Sequence, residues 1–251
     1  LRLRLVVFGL RHAMAIQRDS ATTDGKTPPA TPYVMGEGGK IDLTRNTAPG
    51  EPPPDHFAVL GVPRRLLLDP QHLEVRMRSL VRDLHPDRFH QDGPAAVADA
   101  QRHTSLVNDA WRTLRELESR ARYVLALDGA RPDEKFQPPP AFLAEMMELN
   151  ETLDDLKMAL TGDAETSKSA RWQLRQHAGE LEELREESTG ALKRAARRWD
   201  DAETSGDAGA KAEARKSLRA ALGQLSYLDN LTERVRALQE GGGLLPRGRA
   251  H

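Results

Sequence analysis

The residues with the clearest chemical potential are His85, Pro86 and Asp87, with His90 and Asp92 just beyond them. An imidazole and a carboxylate two positions apart can act as a general acid–base pair. That use needs a nucleophile, a cofactor or a metal beside them, and the neighbouring stretch offers only His90 and Asp92. The chain has no cysteine, which excludes disulfides, thiolate metal sites and a cysteine nucleophile. The remaining histidines lack metal-ligand spacing. Gly38-Gly39 and Gly241-Gly242-Gly243 do not sit between a strand and a helix, so neither reads as a phosphate loop. The sequence therefore predicts no catalytic residue, no metal and no cofactor. On its own residues the triplet reads as a polar turn with a cap.

Two amphipathic segments would hold it there. Upstream, Leu73, Met77, Leu80, Val81 and Leu84 recur at helical spacing, and Arg76, Arg78, Arg82 and Asp83 fill the other side. Asp69-Pro70 reads as an N-cap followed by proline at the first helical position. Pro86 ends the helix, because it lacks an amide hydrogen and biases His85 away from the α region. Downstream of the turn Asp92-Gly93-Pro94, the residues Leu106, Val107, Ala110, Trp111, Leu114 and Leu117 form a matching apolar series. Two such helices with a short connection pack antiparallel, with the triplet at the end of the hairpin.

This arrangement resembles the J-domain, the module by which co-chaperones stimulate ATP hydrolysis in DnaK-type heat-shock chaperones. The resemblance extends to Asp55-His-Phe-Ala-Val-Leu-Gly-Val-Pro63, which looks like the short first helix of that module, and to Asn108-Asp-Ala-Trp-Arg-Thr-Leu114, which looks like its third. Ala121 to Gly129 extends it as in one subfamily. Phe142 to Asp155, together with Leu225-Ser-Tyr-Leu-Asp-Asn-Leu231, is similar to the C-terminal domain of the HscB family, the J-proteins of iron-sulfur cluster assembly. Taken together the match covers about residues 55 to 240. It implies that His85, Pro86 and Asp87 are the signal read by a DnaK/HscA-type ATPase, with Arg76, Arg78 and Arg82 docking an acidic patch on that chaperone.

A second partner follows from the helix expected from Ala141 to Leu160. Phe142, Met146, Leu149, Leu153 and Leu156 suffice for a core stripe, which leaves Leu143, Ala144, Met147, Glu148, Glu151 and Asp155 on another face. In the HscB family the corresponding face holds an IscU-type iron-sulfur scaffold protein, and an aromatic at the position of Tyr227 contributes. Ala144 departs from the family pattern, which has a larger apolar side chain there. The implied function is a co-chaperone, not an enzyme, that delivers the scaffold to the chaperone ATPase. The alternative keeps the J-domain and changes the client to other folding proteins.

Composition agrees with local rather than bulk recognition. There are 251 residues with 37 basic and 38 acidic side chains, so no excess charge points to nucleic acid. The apolar run Leu5 to Leu10 is far shorter than the roughly 20 residues that span a bilayer, so no membrane partner is expected. The expected fold is all-α, a J-domain helical hairpin joined to a C-terminal three-helix bundle. Its expected parts are a disordered extension (1–54), the J-domain (55–130), a proline-rich linker (131–140), the oligomerisation and scaffold-binding domain (141–240) and a tail (241–251).

In that bundle the second helix is expected from Ser167 to about Trp199, its three-four apolar spacing interrupted by Arg185 and Ser188, and the third from Ala208 to Gln239. Trp111, Trp172 and Trp199 read as core or interface aromatics. The long charged helix from Ser167 is the candidate for pairing with a second copy. Absence of a cysteine tetrad suits a bacterial-type, cytoplasmic member. Arg2, Arg4, Arg11 and Arg18, with no acid before Asp19, carry the weaker alternative of a mitochondrial transit peptide and a matrix location; Met14 is a candidate start.

Overall fold

The structure is a computed structural model that describes residues 55–129 and 140–241. The expected N-terminal extension, nearly all of the linker and all but the first residue of the tail lie outside the described residues. Every regular element among the described residues is helical: α1 (His56–Leu60), α2 (Pro70–Asp83), a 3-10 segment (Pro86–Asp92), α3 (Pro94–Leu114), α4 (Leu117–Leu127), α5 (Pro140–Ala159), α6 (Ala164–Ser205) and α7 (Ala208–Gln239). They divide into two compact units. Residues 55–129 with Trp199–Thr204 form one, and residues 140–198 with 205–241 form the other.

In the first unit the local chemistry is that of capped helices. Asp69 accepts from the Gln71 amide at 3.0 Å with Pro70 at the first position of α2. Asp55 caps α1 by accepting from the Phe57 amide, and Gly61 closes that helix at φ 63°, a left-handed conformation that glycine adopts without a Cβ clash. Phe57, Val59, Leu60, Leu73, Leu80, Leu84, Val107, Ala110 and Leu114 are buried, so α1, α2 and α3 share one core. His103 lies in the same stripe of α3, and burial pushes its imidazole pKa down.

The apolar series that runs from Leu106 to Leu117 is not one continuous helix. α3 stops at Leu114 and α4 starts at Leu117, because the end of α3 is capped by a buried cation. The Arg120 guanidinium donates Nε to the Leu114 carbonyl at 2.7 Å, Nη2 to the Arg115 carbonyl at 3.3 Å, and Nη1 to the Leu66 carbonyl. Those carbonyls are orphans at a helix end and in a loop, and the arginine fork satisfies them together. Desolvation lowers the Arg120 pKa to about 10, while Asp200 and Glu116 oppose that shift.

Asp200 completes the arrangement from the last turns of α6. Its two oxygens accept from the amides of Leu66 at 2.6 Å and Leu67 at 2.9 Å. Burial raises its pKa, offset in part by these two amides and by Arg65. The loop between α1 and α2 thus has its amides held by an acid and one of its carbonyls held by a base, both buried.

In the second unit, Phe142, Met146, Leu149, Leu153 and Leu156 of α5 pack with Ala170, Leu174, Leu181 and Leu184 of α6 and with Leu228, Leu231 and Val235 of α7. α5 therefore buries the stripe its sequence predicted. α6 runs 42 residues, a few longer at each end than the apolar spacing marks. Ser188 falls on its core side and is small enough to be buried there, while Arg185 reaches α7 and pairs with Asp229 at 2.9 Å. Trp199 is fully buried, but Trp172 is 57% exposed, so it is not a core residue of this fold.

Two measurements test the buried polar contacts. Asp200→Ala leaves a buried amide at Leu66 and a part-buried one at Leu67 without an acceptor and should cost about 2–4 kcal/mol in chemical denaturation. Tyr123 donates to Asp55 and accepts from the His56 amide, both at 3.0 Å, and burial leads the causes that raise its pKa to about 12. A phenol whose folded pKa is raised contributes stability that is present below its unfolded pKa of about 10 and lost as pH rises toward the folded value. The denaturation midpoint should therefore fall between about pH 10 and pH 12, and Tyr123→Phe should remove that part of the slope.

Candidate functional site

The sequence places a proline where α2 would otherwise continue, and the backbone responds at each residue. The Leu84 amide still bonds to the Leu80 carbonyl at 2.8 Å, whereas His85 has left the helix at φ −59°, ψ 129°. Pro86 then starts the 3-10 segment. The Asp87 amide donates to His85 Nδ1 at 3.4 Å and the Arg88 amide to the His85 carbonyl at 3.0 Å. With Nδ1 accepting, a neutral His85 carries its proton on Nε2, which is the nitrogen left for a partner.

Buried anchors flank the turn on both sides. Leu84 precedes it and Phe89 follows it, and both lie in the core. The Thr104 hydroxyl of α3 is shared between the carbonyls of Leu84 at 3.3 Å and Ala100 at 2.9 Å. His85 and Asp87 remain outside, and the Asp87 side chain is 81% exposed. Its carboxylate lies 3.6 Å from His85 Nδ1. Asp83 is differently placed, within reach of Arg82 at 3.5 Å and Arg88 at 3.4 Å and accepting from Ser79. The turn therefore presents one outward carboxylate beside a cationic surface.

The basic residues of α2 do not act as one set. Arg78 and Arg82 are exposed, and Arg78 pairs with Glu74 one turn back. Arg76 is half-buried and donates Nε to the Leu60 carbonyl at 3.2 Å, tying α2 to the end of α1. Val75 is 65% exposed and lies one turn from Arg78 and two turns from Arg82. Sequence reasoning missed it; a lone valine in a charged segment has no periodicity of its own.

On α5 the structure brings the second group together. Leu143, Ala144, Met147, Glu148, Glu151 and Asp155 are all exposed, on the side opposite the buried stripe. Tyr227 of α7 is 38% exposed and meets Phe142 edge-on, with ring centroids 5.9 Å apart. Asp154, by contrast, is paired with Arg234, which also reaches Asn150. Met158 is 71% exposed and lies three turns beyond Met147 on the same side, so the exposed apolar face is longer than the sequence reading made it. The signal available was that eleven-residue interval.

No group of histidine or acidic side chains among the described residues has the arrangement to hold a metal ion. No helix among them is long and apolar enough to cross a membrane.

No family model matches the chain. Among solved structures, chaperone HscB from Vibrio cholerae aligns with a TM-score of 0.45 and 22% identity, covering 74% of this chain and 98% of that one. The crystal structure of human co-chaperone protein HscB aligns with a TM-score of 0.47 and 23% identity, covering 84% of this chain and 98% of that one. Both neighbours are HscB co-chaperones. The functional reading of this chain rests on its own residues: a rigid hairpin end with an outward carboxylate, and a separate apolar-acidic helix face.

The division within α2 is testable by stability alone. Arg76→Ala should cost about 1 kcal/mol, since it removes a half-buried hydrogen bond to a helix-end carbonyl. Arg82→Ala should stay within about 0.5 kcal/mol of the wild type, as expected of an exposed residue whose ion pair with Asp83 is screened by solvent.

Proposed function

We propose that this protein is a co-chaperone of the HscB type, with a J-domain over residues 55–130 and a scaffold-binding helical domain over 141–240. The observation that carries the reading is the His85-Pro86-Asp87 turn, held by buried Leu84 and Phe89 with the Asp87 carboxylate outward. In this reading Asp87 meets an arginine of a DnaK/HscA-type ATPase, and His85 and Pro86 fix its direction. A charge-assisted pair of that kind contributes roughly 1.5–3 kcal/mol when partly buried at an interface. Arg78 and Arg82 steer an acidic chaperone surface toward the turn, which raises the association rate and makes it salt-sensitive. Arg76 contributes by holding α2 against α1.

The face of Leu143, Ala144, Met147, Glu148, Glu151 and Asp155, with Tyr227 beside it, takes an IscU-type scaffold. The apolar side chains supply buried area and the acids select a basic rim on the partner. Binding the scaffold and the ATPase on one chain raises the effective concentration of each for the other, so hydrolysis becomes coupled to the presence of the scaffold. The protein does no covalent chemistry itself, and the iron-sulfur cluster is cargo of the scaffold. The bacterial cytoplasm is the compartment that fits this role.

The measurement is the ATPase rate of a DnaK/HscA-type chaperone with and without scaffold. Stimulation should rise further with scaffold, and Asp87→Asn should abolish both effects. Met147→Asp should weaken scaffold binding about tenfold, or about 1.4 kcal/mol, and leave scaffold-free stimulation intact. Stimulation with no scaffold effect would assign a J-protein with another client; no stimulation would overturn the reading.

A further inference from the structure

The outward side of α2 carries one residue that neither the fold nor the steering role of the arginines accounts for. Val75 is 65% exposed, and at about 100° per residue it is turned roughly 200° from Leu73 and roughly 140° from Leu80, the buried residues of that helix. It therefore points away from the core. Valine is β-branched and a poorer helix former than lysine, glutamate or leucine, so an exposed helical position gains nothing from it. A lone exposed valine is ordinary on a protein surface; its place among the charges is what sets this one apart.

Gln71, Val75, Arg78 and Arg82 follow one another at intervals of four, three and four residues, and all four are exposed. They form a single stripe along α2 that leads to the turn holding His85 and Asp87. From Val75 toward the turn the order is apolar, cation, cation, carboxylate. Arg78 is paired with Glu74, which lies on the edge of the stripe away from Val75, and the valine methyl groups stay largely uncovered. α2 is continuous from Val75 to Asp83, and Leu84 and Phe89 anchor the turn in the core. The rise from Val75 to Leu84 is about 14 Å, so the apolar point and the turn are held at a fixed separation.

Charge alone leaves this surface without a register. Two arginines attract any acidic patch and tolerate sliding along it, which speeds association more than it selects. An apolar side chain behaves differently. It gains by burial only against an apolar surface, and pressed onto carboxylates it strips them of water. We propose that Val75 is a specificity-determining residue of the chaperone-docking surface, and that its methyl groups enter an apolar depression on the ATPase. The ATPase that fits presents this depression, then acidic side chains, then the arginine for Asp87, in that order and at the spacing α2 fixes. An acidic protein that lacks the depression is attracted but held out of register, with no arginine brought to Asp87. This inference rests on the co-chaperone reading, since the occupant it names is the same ATPase.

The test is stimulation of an HscA-type and a DnaK-type ATPase by the full chain, each titrated to saturation. Val75→Ala should raise the half-maximal concentration for the preferred ATPase about three- to tenfold and leave the rate at saturation unchanged. The preference between the two ATPases should narrow in the same variant. Val75→Ile should stay within about twofold of the wild type, and Val75→Thr, which replaces one methyl group by a hydroxyl, should behave as Val75→Ala. The sign of the effect of Val75→Lys separates the two kinds of docking. It adds a cation to a surface that meets acids, so attraction by charge alone lowers the half-maximal concentration, whereas loss of an apolar anchor raises it. All four variants alter an exposed residue and should keep the wild-type helix content. With a wild type that stimulates and an Asp87→Asn variant that does not, two results overturn the inference and leave the co-chaperone reading standing. One is a Val75→Lys variant that docks as tightly as the wild type or tighter; the other is a Val75→Ala variant that weakens both ATPases equally. A wild type that stimulates neither ATPase removes both.

Discussion

Pro86 sets the constraint on which the first unit depends. Without an amide hydrogen at that position, α2 has to end, and the residue before it has to be extended. The chain then turns within a few residues and re-enters the core at Phe89. Leu84 and Phe89 are both buried, so the intervening residues have no freedom to swing and no way to sink. Exposure of His85 and Asp87 is therefore a consequence of packing on either side of them. In the proposed role such a turn would bind without a large ordering cost, since folding has already fixed its backbone.

Two buried ions maintain the frame behind that hairpin, and both are engaged with the main chain. Asp200 accepts from two consecutive amides, and Arg120 donates to three carbonyls. Desolvating either ion is costly, and direct attraction between them is only part of the compensation. Most of it comes from groups that have no other partner: loop amides, a loop carbonyl and the end of α3. This explains why α3 and α4 are separate helices although the apolar pattern runs through both. A single continuous helix would use the Leu114 and Arg115 carbonyls itself and leave the buried guanidinium with the Leu66 carbonyl as its remaining acceptor.

Much of the fold was legible because it rests on periodicity and local caps. The core stripe of α5, the proline stop and the Asp69-Pro70 start each involve residues within a few positions of one another. The buried ions were not legible for the opposite reason. Asp200 reaches amides 133 and 134 positions away, and backbone amides leave no trace in a sequence. Arg76 shows the same limit on a smaller scale, since its acceptor is the carbonyl of Leu60, and only its side of α2 distinguishes it from Arg78 and Arg82. Met158 was within reach, because it extends an exposed face at a helical interval. For Trp172 the choice between core and interface was open, yet its position two residues from Leu174 already put it on the far side of the helix.

The distribution of charge bears on how one chain would keep its partners apart. A net charge near zero gives no long-range preference, so selection has to come from patches of a Debye length or less. The exposed side of α2 is cationic with a valine at its centre; the exposed side of α5 is anionic with methionines and a leucine. An acidic partner that suits the first is repelled by the second, and a basic partner the reverse. Discrimination then follows from repulsion as much as from contact, which is how weak, exchangeable interactions remain specific.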